Sequence, residues 1–223
     1  VLFRTEPPTR LLLTSPLNVP AEGELLFYAV GRSADVVVLG QDGGLVLRTN
    51  GLPEALMDTP GIAPRFSGEF WMSPLAVLAR PDSARMLIVG YGGGVVVEGV
   101  PPSVRAIDVI ELEPAVIDAN RATRQLRRRD PLLDTRVNIV TNDARGALRL
   151  TDRRYDAIVS QPSHPWTAGA SHLYTREFMR LAAEHLTPGG IFVQWMNVSF
   201  LDEGLLRSLT ATLLAVFSEV RIY

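Results

Sequence analysis

MLIVGYGGGVVVEGVPPSVRAIDVIELEP, residues 86–114, is the stretch that decides the fold. Its first four residues form an apolar run short enough to be a buried parallel strand. A turn follows in which a ligand can approach bare backbone at three glycines, Gly90, Gly92 and Gly94. A second apolar strand ends in Glu111, about 20 residues beyond the turn, where a carboxylate can accept both hydroxyls of a nucleotide ribose. A glycine turn alone is weak support, but the strand before it and the carboxylate after it predict a nucleotide-binding unit.

The composition excludes several kinds of chemistry. The 223 residues include no cysteine, so thiolate nucleophiles, zinc–thiolate sites and disulfides are ruled out. All 22 basic residues are arginine, which rules out a Schiff-base lysine. A net charge of −2 gives no reason to expect nucleic acid, and no apolar run reaches the roughly 18 residues that span a membrane. The chain begins at Val1 without a signal-peptide pattern, and we interpret it as a piece of a longer protein.

The first part of the chain has the pattern of a small antiparallel sheet. Apolar runs separated by turn sequences predict strands at Leu25–Val30, Asp35–Gly40 and Leu45–Arg48, with an earlier candidate at Leu11–Leu13. Asn50-Gly51 is interpreted as the turn that ends this sheet, and residues 52–73 as loop and helix. We therefore predict an N-terminal β-strand subdomain over residues 1–57 and a Rossmann-like nucleotide-binding domain over residues 58–223.

Strands and helices alternate after the glycine turn. Helices are predicted at 114–128, 175–185 and 202–217, and strands at 137–140, 157–160, 191–195 and 220–222. This alternation with short loops predicts a doubly wound, mainly parallel α/β sheet. Asp143 follows one strand and the loop from Gln161 follows the next, so both lie at the carboxyl edge where such sheets bind ligands. The basic cluster Arg127-Arg-Arg129 is interpreted as a solvated helix end.

The order of these motifs resembles the class I methyltransferase-type Rossmann fold, and their details resemble the spermidine synthase (polyamine aminopropyltransferase) family. The matching pieces are Gly90–Gly94, Glu111-Leu-Glu-Pro114, Asp143-Ala144, Tyr155-Asp-Ala-Ile158, Leu173-Tyr-Thr-Arg-Glu-Phe178 and Leu186-Thr-Pro-Gly-Gly190. A branch of that family often fused to membrane segments also has counterparts of Phe27-Tyr28, Gly31-Arg-Ser33, Asn50-Gly-Leu-Pro-Glu-Ala55 and Pro162-Ser-His-Pro-Trp166.

The resemblance implies a role for each residue of a nucleotide site. Glu111 would hold the ribose hydroxyls, Asp143 would accept from the adenine amino group, and Ala144 would pack beside the ring. The co-substrate would be decarboxylated S-adenosylmethionine or S-adenosylmethionine itself, with no tightly bound cofactor and no metal. A small-molecule amine would be the acceptor. The family analogy also suggests a homodimer in the cytoplasm, or a membrane-attached protein whose membrane segments lie outside this chain.

The sequence departs from the family at the polyamine side of the site. Gln161 stands where the family has the carboxylate that takes a proton from the attacking amine, and glutamine does not titrate. His164 stands at a second acidic position, and Gly93 at the acidic position of the glycine loop. His164 could serve as a replacement base or could be a loop residue bonded to backbone. Glu54 and Glu69 are the remaining acids that could meet an amine, or they could be solvated.

Three functions follow from this mixture of matches and departures. The chain could be an aminopropyltransferase with a different acceptor or base, because displacement at the sulfonium-linked carbon depends mostly on positioning. It could be a methyltransferase using S-adenosylmethionine, for which Gly93 in place of an acid leaves more room for the donor's carboxylate. It could also be a catalytically inactive nucleotide-binding domain of a larger protein.

Overall fold

A computed structural model of the chain describes residues 22–163, 165, 169–197 and 202–223. The predicted strand at Leu11–Leu13 and the candidate residue His164 lie outside these ranges. None of the helices within them is long and apolar enough to cross a membrane.

The N-terminal sheet is an antiparallel meander of four strands in chain order, β1 (Glu24–Val30), β2 (Asp35–Gln41), β3 (Gly44–Thr49) and β4 (Leu52–Asp58). The first three confirm the predicted strands. The prediction of a loop and helix from residue 52 is wrong for β4. Asn50 and Gly51 both have positive φ angles, 48° and 77°, and form a tight hairpin turn rather than the end of the meander.

The second sheet is parallel, as the strand–helix alternation predicted. Within the described ranges its strands are β5 (Arg85–Val89), β6 (Ala106–Glu111), β7 (Val137–Thr141), β8 (Tyr155–Ser160) and β9 (Leu186–Gln194), in the spatial order β7-β6-β5-β8-β9. The chain runs outward from β5 to one edge and then returns to build the other. In such sheets the crevice at this reversal, outside the carboxyl ends of the strands, is where ligands bind.

Six α-helices complete the described fold: α1 (Gly68–Ala79), α2 (Val95–Glu98), α3 (Pro114–Thr123), α4 (Ala144–Arg149), α5 (Arg176–Glu184) and α6 (Glu203–Leu214). Short 3₁₀ turns lie at Arg124–Leu126, Pro131–Leu133 and Ser171–Tyr174. The helix predicted to reach residue 128 therefore ends at Thr123. The predicted strand at 220–222 is also wrong, because these residues pair with no strand of the described part of the chain, and Ile222 and Tyr223 are 61% and 85% exposed.

The two sheets share one hydrophobic core. Val36 and Leu47 of the meander belong to the same buried cluster as Ile88 and Val109 of the parallel sheet. A second cluster, which includes Leu87 and Phe178, covers the opposite face of the parallel sheet. The meander is therefore packed on the rest of the protein, with β1 and β2 in contact with α3, rather than attached only by the chain. The predicted subdomain boundary between residues 57 and 58 stays a prediction, although β4 ends there.

A polar contact fixes the meander to the start of α3. The carboxylate of Glu113 caps α3 by accepting from Ala115 N, and it also accepts from Ser33 N at 2.7 Å and Ser33 Oγ at 2.9 Å. A Cβ added to Gly31 would lie 2.3 Å from Glu113 Oε1, so a larger residue here would displace this carboxylate from its present position. Two of the family motifs thus meet in space.

Candidate functional site

The glycine turn and Glu111 form one rigid unit at the carboxyl edge of the parallel sheet. Gly90, Gly92 and Gly94 have φ angles of 88°, 52° and 75°, in the left-handed region that favours glycine. Glu111 ends β6 and is only 7% exposed. Its Oε2 accepts from Tyr91 N at 2.8 Å and its Oε1 from Glu113 N at 2.9 Å. Burial raises the pKa of Glu111, and the backbone hydrogen bonds act in the opposite direction.

Asp143 and Ala144 lie one strand further along the same edge. Strands β6 and β7 pair in parallel with Glu111 opposite Thr141, and Asn142 N donates to the carbonyl of Glu111 at 3.0 Å. Asp143 caps α4 by accepting from Gly146 N at 2.8 Å, while Ala144 is buried. The structure therefore brings together all the residues that the sequence assigned to a nucleotide.

Gln161 is bonded to the glycine turn. It follows β8, and its Nε2 donates to the carbonyl of Gly90 at 2.7 Å and to that of Tyr91 at 3.2 Å. An ionised carboxylate could not make either bond, because it is only an acceptor. The amide of Gln161 thus holds the end of β8 against the turn after β5.

A cavity of about 410 Å³ opens beside Gln161. Its lining includes Glu54 of β4, Glu69 of α1, Ser163 and Trp195. Glu54 Oε1 accepts from Thr49 Oγ1 at 2.6 Å and Oε2 accepts from Ser163 Oγ at 2.8 Å. The two acids that the sequence left undecided therefore line one cavity, rather than two separate solvated surfaces.

Both carboxyl groups of this cavity hold protons more tightly than a solvated glutamate. Burial raises the pKa of Glu54 to about 7, although the hydrogen bonds from Thr49 and Ser163 oppose the shift. Burial also raises the pKa of Glu69 to about 7, and repulsion by the charge of Glu54 adds to the effect. Near neutral pH each group can therefore exchange a proton.

The position of Gly93 is packed, not open. A Cβ at Gly93 would lie 2.7 Å from the Cβ of Ala55 and 2.9 Å from Cγ of Met57, both in β4. Strand β4 thus occupies the space into which an acidic side chain at Gly93 would project. The expectation that glycine here leaves room for a donor carboxylate stays a prediction.

Arg127 supports the glycine turn from behind, and its interpretation as part of a solvated helix end is wrong. Its side chain is fully buried, and its Nη2 donates to Gly93 O at 2.7 Å and to Glu98 Oε1 at 2.8 Å. Its Nη1 donates to Asn120 Oδ1, and Asn120 Nδ2 donates to Gly92 O at 2.9 Å. Two carbonyls of the turn are thereby held by buried donors.

These features define a Rossmann-like α/β protein of the class I methyltransferase type, with a small antiparallel sheet packed on a parallel one. Within that class, the chain belongs to the spermine/spermidine synthase family. The family model described as the spermine/spermidine synthase domain matches residues 71–223, more than half of the chain. The family resemblance drawn from the sequence motifs is confirmed.

Curated relatives agree with this membership. A polyamine aminopropyltransferase of Ruegeria sp. is 27% identical over 154 residues, which are 68% of this chain and 54% of the relative. A polyamine aminopropyltransferase of Mycobacterium tuberculosis is 35% identical over 121 residues, 52% of this chain and 23% of the relative. The chain thus spans about half the length of the Ruegeria relative.

Two crystal structures of spermidine synthases share the fold. One, in complex with the transition state analogue AdoDATO, has a TM-score of 0.74 at 19% identity, covering 88% of this chain and 66% of that chain. The other, from Thermotoga maritima, has a TM-score of 0.71 at 19% identity, covering 88% and 65%. At this level of identity the likeness establishes the fold.

Proposed function

We propose that this chain is a spermidine synthase-like transferase that binds a thioadenosine nucleotide and transfers its aminopropyl group to an amine. The observation that carries the proposal is the position of the cavity with Glu54 and Glu69. It lies directly beside Gln161, which is itself bonded to the glycine turn. Gln161 thus lies between the sheet edge proposed for the nucleotide and the acidic cavity. This arrangement suits a reaction between a nucleotide donor and a cationic acceptor.

The donor would be decarboxylated S-adenosylmethionine, used as a co-substrate. Glu111 lies buried at the tip of β6, where its carboxylate would accept from the ribose hydroxyls. Oδ1 of Asp143 accepts the helix-capping hydrogen bond. Its second oxygen, Oδ2, would accept from the adenine amino group. Ala144 would pack beside the adenine ring.

The acceptor would be a small amine held in the acidic cavity. Burying an ammonium group without a carboxylate partner is costly, and Glu54 and Glu69 supply two. In the transfer, the amine nitrogen forms a bond to the aminopropyl carbon while the carbon–sulfur bond breaks. The electron pair of the broken carbon–sulfur bond remains on sulfur. The leaving group is the neutral thioether methylthioadenosine.

A catalytically inactive nucleotide-binding domain is the second candidate. Its support is Gln161, which cannot titrate and whose amide is already bonded to the carbonyls of Gly90 and Tyr91. A methyltransferase that uses S-adenosylmethionine stays the third alternative. Dimerisation, a cytoplasmic location and membrane attachment through flanking segments stay predictions of the family resemblance.

Calorimetric titration with methylthioadenosine, S-adenosylmethionine and its decarboxylated form tests the proposal, followed by a turnover assay with putrescine. We expect the decarboxylated donor to bind and to be consumed. Binding without turnover of any amine tested would favour the inactive domain, and preference for S-adenosylmethionine would favour a methyltransferase. No binding of any nucleotide would refute the proposed site.

Two variants locate the nucleotide within the site. Glu111→Ala and Asp143→Asn are each expected to weaken methylthioadenosine binding roughly 10- to 100-fold, the range for a lost hydrogen bond to a charged group. Asparagine retains the helix cap that Asp143 provides. The matched control is Asp202→Asn, because Asp202 caps α6 in the same way, by accepting from Leu205 N at 2.7 Å, and is not one of the residues assigned to the nucleotide.

A further inference from the structure

The proposed reaction needs a group that accepts a proton from the amine. A primary aliphatic amine has a pKa near that of lysine, about 10.4, and at neutral pH it is an ammonium ion without a free electron pair. Gln161 cannot take this proton, and its amide is engaged by two carbonyls. The inference below therefore rests on the proposed function and concerns which residue replaces the missing carboxylate.

Glu54 is held in a fixed orientation in the acceptor cavity. Both of its oxygens are anchored, one by the hydroxyl of Thr49 on the neighbouring strand and one by the hydroxyl of Ser163. Ser163 belongs to the same loop as Gln161, two residues further on. A carboxylate has about four lone-pair positions, so the two hydroxyl bonds leave it able to accept from an amine. Glu54 is thus hydrogen-bonded to the loop that contains Gln161.

We propose that Glu54 is the catalytic base of this chain and that Glu69 binds the positive charge of the acceptor. The ammonium proton moves to the carboxylate of Glu54, and the freed electron pair of nitrogen forms the bond to the aminopropyl carbon. The carbon–sulfur bond breaks and the sulfonium becomes a neutral thioether. The product leaves as a secondary ammonium, and Glu54 returns its proton to solvent.

The charges around Glu54 agree with this role. Burial raises its pKa to about 7, with a smaller contribution from the charge of Glu111, so it is near the value at which a general base works best at neutral pH. Among the described residues, the other charged groups that line the cavity are Glu69 of α1 and Arg48 of β3. Burial raises the pKa of Tyr174, whose hydroxyl donates to Ser163 O, and the charge of Glu54 adds to this shift.

The test compares wild type with Glu54→Gln and Glu69→Gln in turnover of putrescine with decarboxylated S-adenosylmethionine. For Glu54→Gln we expect kcat to fall roughly 10²- to 10⁴-fold, the usual range for loss of a general base, with methylthioadenosine affinity unchanged. The acidic limb of the pH–rate profile near pH 7 should also disappear. For Glu69→Gln we expect a higher KM for putrescine with a smaller change in kcat. A Glu54→Gln variant that keeps kcat and its pH profile would overturn the inference.

Two further variants separate a chemical role from a structural one. Gln161→Asp loses the hydrogen bonds that the amide donates to the carbonyls of Gly90 and Tyr91, so the single Gln161→Asp variant is measured as a control. Added to Glu54→Gln, it should restore part of the lost kcat, because it returns a carboxylate to the same loop. If Glu54→Gln does not fold, Glu54→Asp replaces it and should lower kcat while keeping the limb near pH 7. A rise in KM alone in Glu54→Asp would contradict the proposed role.

Proton release gives a readout that needs no turnover. Putrescine binding to the nucleotide-bound chain at pH 7 should release protons as the cavity carboxyls ionise beside the cation, and Glu54→Gln should release fewer. Calorimetry in two buffers of different ionisation enthalpy measures the number. Equal release by both proteins would overturn the inference while leaving the proposed function in place. A wild-type chain that binds nucleotide but neither binds nor converts any amine would refute the proposed function itself.

Discussion

Replacing Arg127 by methionine should destabilise the protein far more than its position after a helix suggests. The guanidinium is fully buried and pairs with Glu98 at 2.8 Å, and it also donates to the carbonyl of Gly93. Methionine keeps the apolar stem but leaves these acceptors without a donor. Removing one partner of a buried pair costs about 3–5 kcal/mol, and we expect about 3 kcal/mol because Glu98 remains 18% exposed.

Thermal and urea unfolding followed by circular dichroism measure this loss. For a chain of this size, about 3 kcal/mol corresponds to a fall in Tm of roughly 6–12 °C. Arg121→Met is the matched control, because Arg121 pairs with Asp118 near the end of the same helix but both side chains are more than 60% exposed. An exposed pair contributes about 1 kcal/mol or less. If the two variants differ by less than about 1 kcal/mol, the structural role assigned to Arg127 is wrong.

Three further outcomes are expected. Gly93→Asp should lower stability by roughly 1–3 kcal/mol, seen as a lower urea midpoint, because the new side chain must displace strand β4. The folded chain holds protons on Glu54 and Glu69 that the unfolded chain releases, so the free energy of unfolding should fall as pH rises from about 4.5 to about 7. Glu69→Gln should make that slope shallower, and a stability that rises over this interval would contradict the assignment. Gly31→Ala should lower the Tm, because its Cβ would collide with Glu113, and an unchanged Tm would contradict the contact.

The sheet edge that we propose to bind a nucleotide could be predicted from the sequence, because local rules place its residues. A buried strand, a glycine turn and a carboxylate at the next strand's tip are each visible within a short window, as for Gly90 and Glu111. Parallel pairing of β6 and β7 then puts Asp143 at the same edge. No knowledge of distant contacts was needed for this part.

The cavity lined by Glu54 and Glu69 could not be predicted from local sequence rules. Glu54 lies on β4, and that strand depends on whether Asn50-Gly51 ends the sheet or reverses the chain within it. Glu69 comes from α1, and only the packing of α1 beside the end of β8 brings the two acids into one cavity. The sequence named both residues but contained no signal for their proximity.

The burial of Arg127 also could not be predicted from the sequence. Three consecutive arginines follow α3, and nothing in their order shows which of them turns inward. The choice depends on the carbonyl of Gly93, 34 positions earlier in the chain, and on Glu98. The rule that basic residues at a helix end are solvated holds for most arginines. The tertiary contacts of Arg127 determine that this side chain is buried.

The two acids of the cavity and the two acids of the sheet edge are encoded in separate stretches of the chain. Glu54 and Glu69 lie in the continuous segment 44–79, whereas Glu111 and Asp143 follow it. Mutations in the first stretch can therefore alter the cavity while the sheet edge keeps its residues. A family member that accumulates such mutations could change or lose its preference for an amine in small steps. It would keep the residues proposed to bind the nucleotide. Exchanging residues 44–79 between relatives would recreate one of those steps in a single gene.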